Sequence, residues 1–208
     1  MKIKATTALL ASLLFSSGAF ADAVKTDWIE LGDKLAFVDT DTGIEWLKLS
    51  ETKGQSVTSV SHSYPGWRLP TETEINAMFY NIFDIVDPIG SDSVFVTDEK
   101  KAYWLDLFGL TSGGRSSGFY LKDNNYLYQA GAYGANSIYT DYTNNTYEQY
   151  KTNGVSFVGV FLVSDGGETL TSKNNPSINS ANDVPVGFGF LSAFLLPLLF
   201  RKTQNQQN

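Results

Sequence analysis

Apolar positions recur along this chain with two different periods. At Ile75, Met78, Phe79 and Ile82 they fall at i, i+3, i+4 and i+7, one face of a helix lying on a core. The start of that helix is written in Thr71 and Glu74, an N-cap and its partner three residues on, which together form a capping box. Pro70 keeps the preceding segment from running helically into it. Tyr103, Trp104, Leu107 and Phe108 share a face in the same way, so a second helix is predicted over Asp98–Phe108. Thr97 caps it, acids occupy its first turn and Gly109 stands just past its end. A shorter helix is expected within 55–64, with Val57 and Val60 inward.

The remaining apolar runs are short and punctuated by turn residues, which predicts strands. Segments 28–31 and 35–39 flank Gly32-Asp33-Lys34 and read as a hairpin; 44–47, carrying Trp46, follows the turn Asp39-Thr40-Asp41-Thr42-Gly43. A brief strand is expected at 94–96, and a hairpin from 119–121 and 126–129 around Lys122-Asp123-Asn124-Asn125. Segment 137–142 is a further pairing candidate, and 109–118 reads as a mobile loop. The nine-residue run 155–163 suits a central strand buried on both faces and able to return beside the first strand. Strands, then helices, then strands make an α+β domain over 22–165, with short strands around two helices.

The two ends have a different character. Lys2 and Lys4, the apolar stretch 8–15 and Ala19-Phe20-Ala21 have the form of a secretory signal peptide over 1–21. Segment 166–183 is polar, with Gly, Ser, Asn and Pro, and reads as a flexible linker. After it, 184–208 opens with a 17-residue apolar span, Val184 to Phe200, followed by Arg201 and Lys202. At 1.5 Å per residue that span reaches about 25 Å, the short limit for crossing a bilayer. Val184-Pro185, the apolar span and the basic end resemble the PEP-CTERM class of bacterial sorting signals, with Val186-Gly187 where that class carries Glu-Pro. The resemblance implies an exosortase-type processing enzyme as a partner; a permanent C-terminal membrane anchor is the alternative. Either way the chain is expected to be exported, at the cell surface or outside it.

Composition narrows the chemistry. Removal of Lys2 and Lys4 with the leader leaves 13 basic against 22 acidic residues, a net charge of −9, which repels phosphate backbones and sets nucleic acid aside. Cysteine is absent, so burial must hold the fold without disulfides. His62 is the single histidine, in a Ser-rich stretch with no nucleophile-elbow pattern, and a zinc cluster is excluded by count. Asp39, Asp41 and Gly43 begin like a calcium loop, but Ser50 stands at the twelfth position where a bidentate glutamate belongs, so a hairpin turn is the better reading. No catalytic residue, cofactor or metal is therefore assigned. Carboxylate pairs such as Asp84 with Asp87 or Asp98 with Glu99 keep a carbohydrate-active hydrolase as a third reading.

Asp41-Thr42-Gly43-Ile44-Glu45-Trp46, Gly66-Trp67-Arg68-Leu69-Pro70-Thr71 with Glu74, and Val160-Phe161-Leu162-Val163-Ser164-Asp165 together resemble the Lcl C-terminal domain family of bacterial surface proteins. The Arg-Leu-Pro-Thr-Glu stretch is also similar to the helix start of formylglycine-generating enzymes, whose cysteine-dependent chemistry this chain lacks. Both resemblances imply a C-type-lectin-like fold, although the lectin calcium signatures Glu-Pro-Asn and Trp-Asn-Asp are missing. The strongest local bias is aromatic: eight tyrosines between 120 and 150 lie among asparagines. Rings that stack and amides that hydrogen-bond hydroxyls suit a polar polymer surface. The expected ligand-binding set is Tyr120, Tyr126, Tyr128, Tyr133, Asn124 and Asn125, with Arg68 as a carboxylate-binding candidate or as the partner of a nearby acid. The expected function is non-enzymatic binding of polysaccharide or another surface polymer, with the net charge favouring neutral sugars or a protein partner; a structural, self-associating matrix protein is the alternative.

Overall fold

The computed structural model describes residues 23–86, 94–122, 125–134, 136–142 and 147–174. In chain order they form β1 (Ala23–Thr26), β2 (Ala36–Asp39), β3 (Glu45–Leu47), α1 (Val57–Ser63), α2 (Glu72–Phe83), β4 (Val94–Phe95), α3 (Asp98–Phe108), β5 (Ser116–Leu121), β6 (Leu127–Tyr133) and β7 (Ser137–Tyr142). A 3-10 turn (Tyr147–Lys151), β8 (Gly159–Val160), β9 (Val163–Ser164) and α4 (Leu170–Asn174) follow. One sheet has the order β1-β2-β3-β9 and the other β4-β7-β6-β5-β8. Every pairing is antiparallel except that of β5 with β8. The chain is thus α+β, as the order of elements predicts.

Alternation along the strands builds two cores. Phe37, Trp46, Tyr120, Phe161 and Val163 face one, which α2 and α3 close with Ile75, Phe79, Phe83, Trp104 and Phe108. Their neighbours Ala36, Leu47, Phe119, Val160 and Leu162 face the other, closed by Val57 and Val60 of α1 and by Trp67. Strands buried on both faces carry continuous apolar runs, and that is how these read. In the first core Trp104 packs with Phe108 at 4.5 Å, Phe83 at 5.0 Å and Phe79 at 5.5 Å between centroids. Truncating a ring so enclosed costs about 3–5 kcal/mol.

The helix signals in the sequence work as their chemistry requires. Thr71 accepts from Glu74 N at 3.2 Å and Glu74 accepts from Thr71 N at 2.7 Å. Thr97 caps α3, and α1 has a capping box of its own from Ser56 and Ser59. The turn at Asp39 is a hairpin: its carboxylate accepts from Asp41 N, and Gly43 N donates to its carbonyl.

Four expectations need correction. Segment 28–31 is not a strand. The Asp33 carboxylate gathers the N–H groups of Trp28, Ile29, Glu30 and Leu35, winding the segment into a turn, and β1 forms earlier, at Ala23–Thr26. Burial pushes the Asp33 carboxyl up, but those donors outweigh it and hold it below its ordinary value.

The run 155–163 is split between the two sheets: β8 lies beside β5, and β9 lies beside β3 instead of the first strand. Gly159 sits where an added Cβ would stand 2.5 Å from Leu49 O, so the chain passes close to another backbone before changing sheets. Segment 109–118 is a tight turn leading into β5, with Thr111, Ser116 and Ser117 fully buried.

Segment 166–174 is not a flexible linker, and 175–183 lies outside the described residues. Residues 166–174 pack on the first sheet: Glu45 accepts from Thr169 Oγ1 and Ser172 Oγ, both at 2.5 Å, and from Glu168 N at 3.0 Å, while Leu170 N donates to Asp27 O at 2.8 Å. Polar composition signalled solvent, but Thr169 and Ser172 are buried because a buried carboxyl on β3 receives them. Among the described residues no helix is long and apolar enough to cross a membrane. The expected leader, 1–21, and the apolar span 184–200 lie outside the described residues.

Candidate ligand-binding site

The residues expected to bind ligand do not come together. Tyr120 is 1% exposed, in the first core against Phe161 and Tyr128, and offers no face to a ligand. Alternation along β5 turns it inward, so its place in the expected set is corrected. Tyr128 is half-buried, with Lys122 Nζ 4.6 Å from its ring centroid; the same lysine pairs with Glu72 at 3.0 Å. Asn125 is a turn residue with φ of 62° whose N–H donates to Lys122 O. Asn124 lies outside the described residues. Tyr126 and Tyr133 are exposed, at the two ends of β6.

Arg68 is occupied by its own chain. Its backbone pairs with Val163 through two 2.8 Å hydrogen bonds, extending the line of β9, and this brings its side chain between Glu74 and Asp165. Nη1 and Nη2 donate to Glu74 at 2.9 and 2.6 Å, and Nη2 and Nε donate to Asp165. These carboxylates raise its pKa further above an already high value. Burial pushes Glu74 up, but Arg68 and the Thr71 N–H prevail and hold it below its ordinary value. Arg68 therefore staples β9 to the start of α2.

A different arginine stands among the rings. Thr111 N and Ser112 N donate to Arg115 O at 2.9 and 3.2 Å, Arg115 N returns a bond to Ser112 O at 3.0 Å, and Gly114, with φ of 67°, makes the turn. The pairing of Ser116 with Ala132 sets Arg115 beside Tyr133 one step along the ladder. Its guanidinium carbon lies 5.3 Å from the Tyr133 ring centroid and 5.5 Å from that of Phe157, both within cation–π range. Tyr133 and Phe157 are 55% and 45% exposed.

The polar groups at this place converge on one phenol. The Tyr139 hydroxyl accepts from Gln129 Nε2 at 3.0 Å and stands 3.5 Å from Arg115 Nη2. Tyr133 and Tyr139 meet edge to face at 6.3 Å. Arg115 Nε is enclosed without a partner, and among the described residues Arg115 has no carboxylate. A guanidinium has five N–H donors. The arrangement is a fixed cation flanked by two partly open aromatic faces, with a buried amide and phenol behind it.

His62 is exposed on α1, its Nδ1 3.1 Å from both Thr58 O and Ser61 Oγ. Among the described residues no three His, Cys, Asp or Glu side chains converge as a metal site would require. No family model, curated protein or solved structure matches this chain.

Sequence reasoning passed over Arg115, Gln129 and Phe157. Ser-Gly-Gly-Arg looked like the middle of a loop, and Phe157 lay inside a run read as one buried strand. The available signal was a residue count: the chain has three arginines, at 68, 115 and 201, and one of them opens a strand whose hairpin partner ends in Tyr133.

Proposed function

We propose that this chain is an exported bacterial surface or matrix module that binds a polysaccharide or other surface polymer without catalysis, on a C-type-lectin-like scaffold. In this reading 1–21 is removed on export and 184–208 serves as a sorting or anchor segment, cleaved by an exosortase-type enzyme or retained in the membrane. The observation that carries the binding reading is the pair of half-open rings, Tyr133 and Phe157, set around Arg115. Aromatic faces give large contact area at low entropic cost, and amides and phenols hydrogen-bond hydroxyls. Tyr126 supplies a further exposed ring at the other end of β6.

The test is binding of the full-length protein to an array of neutral and acidic polysaccharides, beside Tyr133→Ala. Saturable binding weakened about twofold to tenfold by the substitution supports the reading, since one stacking contact contributes about 0.5–1.5 kcal/mol. Absence of binding to every polymer removes it.

Self-association is a second reading, favoured by the sheet edges. β1 and β4 each end a sheet, and they carry Val24 at 52% and Phe95 at 85% exposure. Edge strands with apolar side chains are templates for pairing with another copy. Concentration-dependent sedimentation abolished by Val24→Lys supports this reading; a monomer at every concentration removes it.

A further inference from the structure

We infer that Arg115 makes the aromatic surface selective for a carboxylate-bearing polysaccharide, an acidic sugar polymer with about one carboxylate per repeat. The inference rests on the polymer-binding reading above and names the chemistry of its ligand.

Three observations lead to it. The chain has an excess of acids, 22 against 15 basic residues, and Arg68 carries two of them, yet among the described residues Arg115 carries none. A cation left without an anion in an acidic protein has a place for an outside one. Second, Arg115 is held: turn bonds fix its backbone, rings flank its guanidinium and its Nε is enclosed. An anion arriving there meets an oriented, partly desolvated fork, where an ion pair is stronger than in open water. Third, the flanking rings suit the rest of a sugar: Tyr133 and Phe157 are half open and can take its apolar face, while the buried Gln129 and Tyr139 support the site from beneath.

Geometry selects among acidic ligands. A planar carboxylate matches the guanidinium fork in two parallel hydrogen bonds. The net charge of −7 opposes every polyanion at long range, so the preference rests on this contact.

The experiment uses the full-length protein with alginate and polygalacturonate, each beside its carboxyl-reduced counterpart, titrated by calorimetry at two salt concentrations. The native polymers are expected to bind at least tenfold more tightly than the reduced ones, with the advantage shrinking at higher salt. Arg115→Gln should erase that preference, bringing native and reduced polymers to equal affinity; Arg115→Lys, which keeps charge without the fork, should retain part of it. Tyr133→Ala should weaken native and reduced polymers alike. Equal affinity for native and reduced polymers, or a preference that survives Arg115→Gln, overturns the inference and leaves the polymer-binding reading standing. Binding confined to neutral sugars on the wider array does the same. Failure to bind any polysaccharide ends both. Arginine-dependent binding of poly-glutamate with none of either polyuronate also overturns the inference, since the carboxylate would then belong to a protein partner.

Discussion

Two arginines in one acidic chain have opposite surroundings. Arg68 sits where sheet, helix and chain crossing meet, and it joins Glu74 to Asp165. Arg115 sits where a hairpin ends in open rings, and among the described residues it joins no carboxylate. The first region is closed by its own polar groups: Glu45, buried on β3, receives Thr169, Ser172 and Glu168, and Asp27 O receives Leu170 N. The second leaves a charged donor, Arg115 Nε, without an acceptor, whereas the donors left over beside Glu45 and Arg68 are the neutral indoles of Trp46 and Trp67. Satisfied networks hold a fold together, whereas an unsatisfied, oriented group at the surface is what a ligand can complete.

The contrast is tested most severely at Glu45. Glu45→Ala leaves buried hydroxyls and N–H groups at 168–172 without their acceptor. Each such orphan costs about 1–3 kcal/mol, and partial reorganisation limits the expected total to about 3 kcal/mol. At 2–4 °C per kcal/mol for a chain of this size, thermal unfolding should fall by about 6–12 °C. Glu45→Gln, which keeps an acceptor, should lose less than half as much. A melting temperature unmoved by Glu45→Ala would mean that α4 contributes nothing to the closed end.

Next in size is Arg68→Ala, with an expected loss of about 1–2 kcal/mol, reduced from the value for charged hydrogen bonds because Arg68 is partly open to solvent. Equilibrium denaturation measures it. The linked pH dependence has a definite sign. The folded pKa of Glu74 is depressed, so its contribution is complete above the ordinary value of 4.5 and is lost as pH falls through the lower folded value. Asp33 adds a loss of the same sign starting from 3.8. Glu74→Gln keeps an N3 side chain able to complete the capping box but does not titrate. The stability gap between wild type and Glu74→Gln should therefore be constant at neutral pH and narrow below about 4.5. A gap that widens in acid would show that Arg68 does not stabilise the charged form.

The closed end was partly legible in sequence and the open end was not. Thr71 with Glu74, and Thr97 before Asp98, announce helix starts because a cap is a local arrangement of residues three apart. Pairing of Arg68 with an acid was foreseen as one of its two uses, but Asp165 lies 97 residues away, and only the crossing of β9 beside Arg68 brings it close. The 155–163 run shows where period alone fails: continuous apolarity says that a segment is buried on both faces, not that it stays in one sheet. The same blindness gave 166–174 to solvent, since nothing local to Thr169 or Ser172 reveals Glu45. Arg115 depends on a hairpin register, a turn and a phenylalanine 42 positions on, so no window of sequence contains it.

The smallest expected effect separates the two arginines most sharply. Arg115→Gln removes two cation–π contacts, each about 0.5–1 kcal/mol at a partly open site, but also relieves an enclosed Nε that lacks a partner. These oppose, so stability should change by less than about 1 kcal/mol and the melting temperature by less than about 4 °C. The turn itself is held by backbone bonds from Thr111 and Ser112 and does not need the side chain. Arg68→Ala measured in parallel supplies the scale. If Arg115→Gln proves as costly as Arg68→Ala, the guanidinium is a brace for the end of β5 and β6, and the rings around it are packing. If the loss stays small, the cation is held in place without contributing to the fold, which is the condition under which an acidic ligand meets a site already formed.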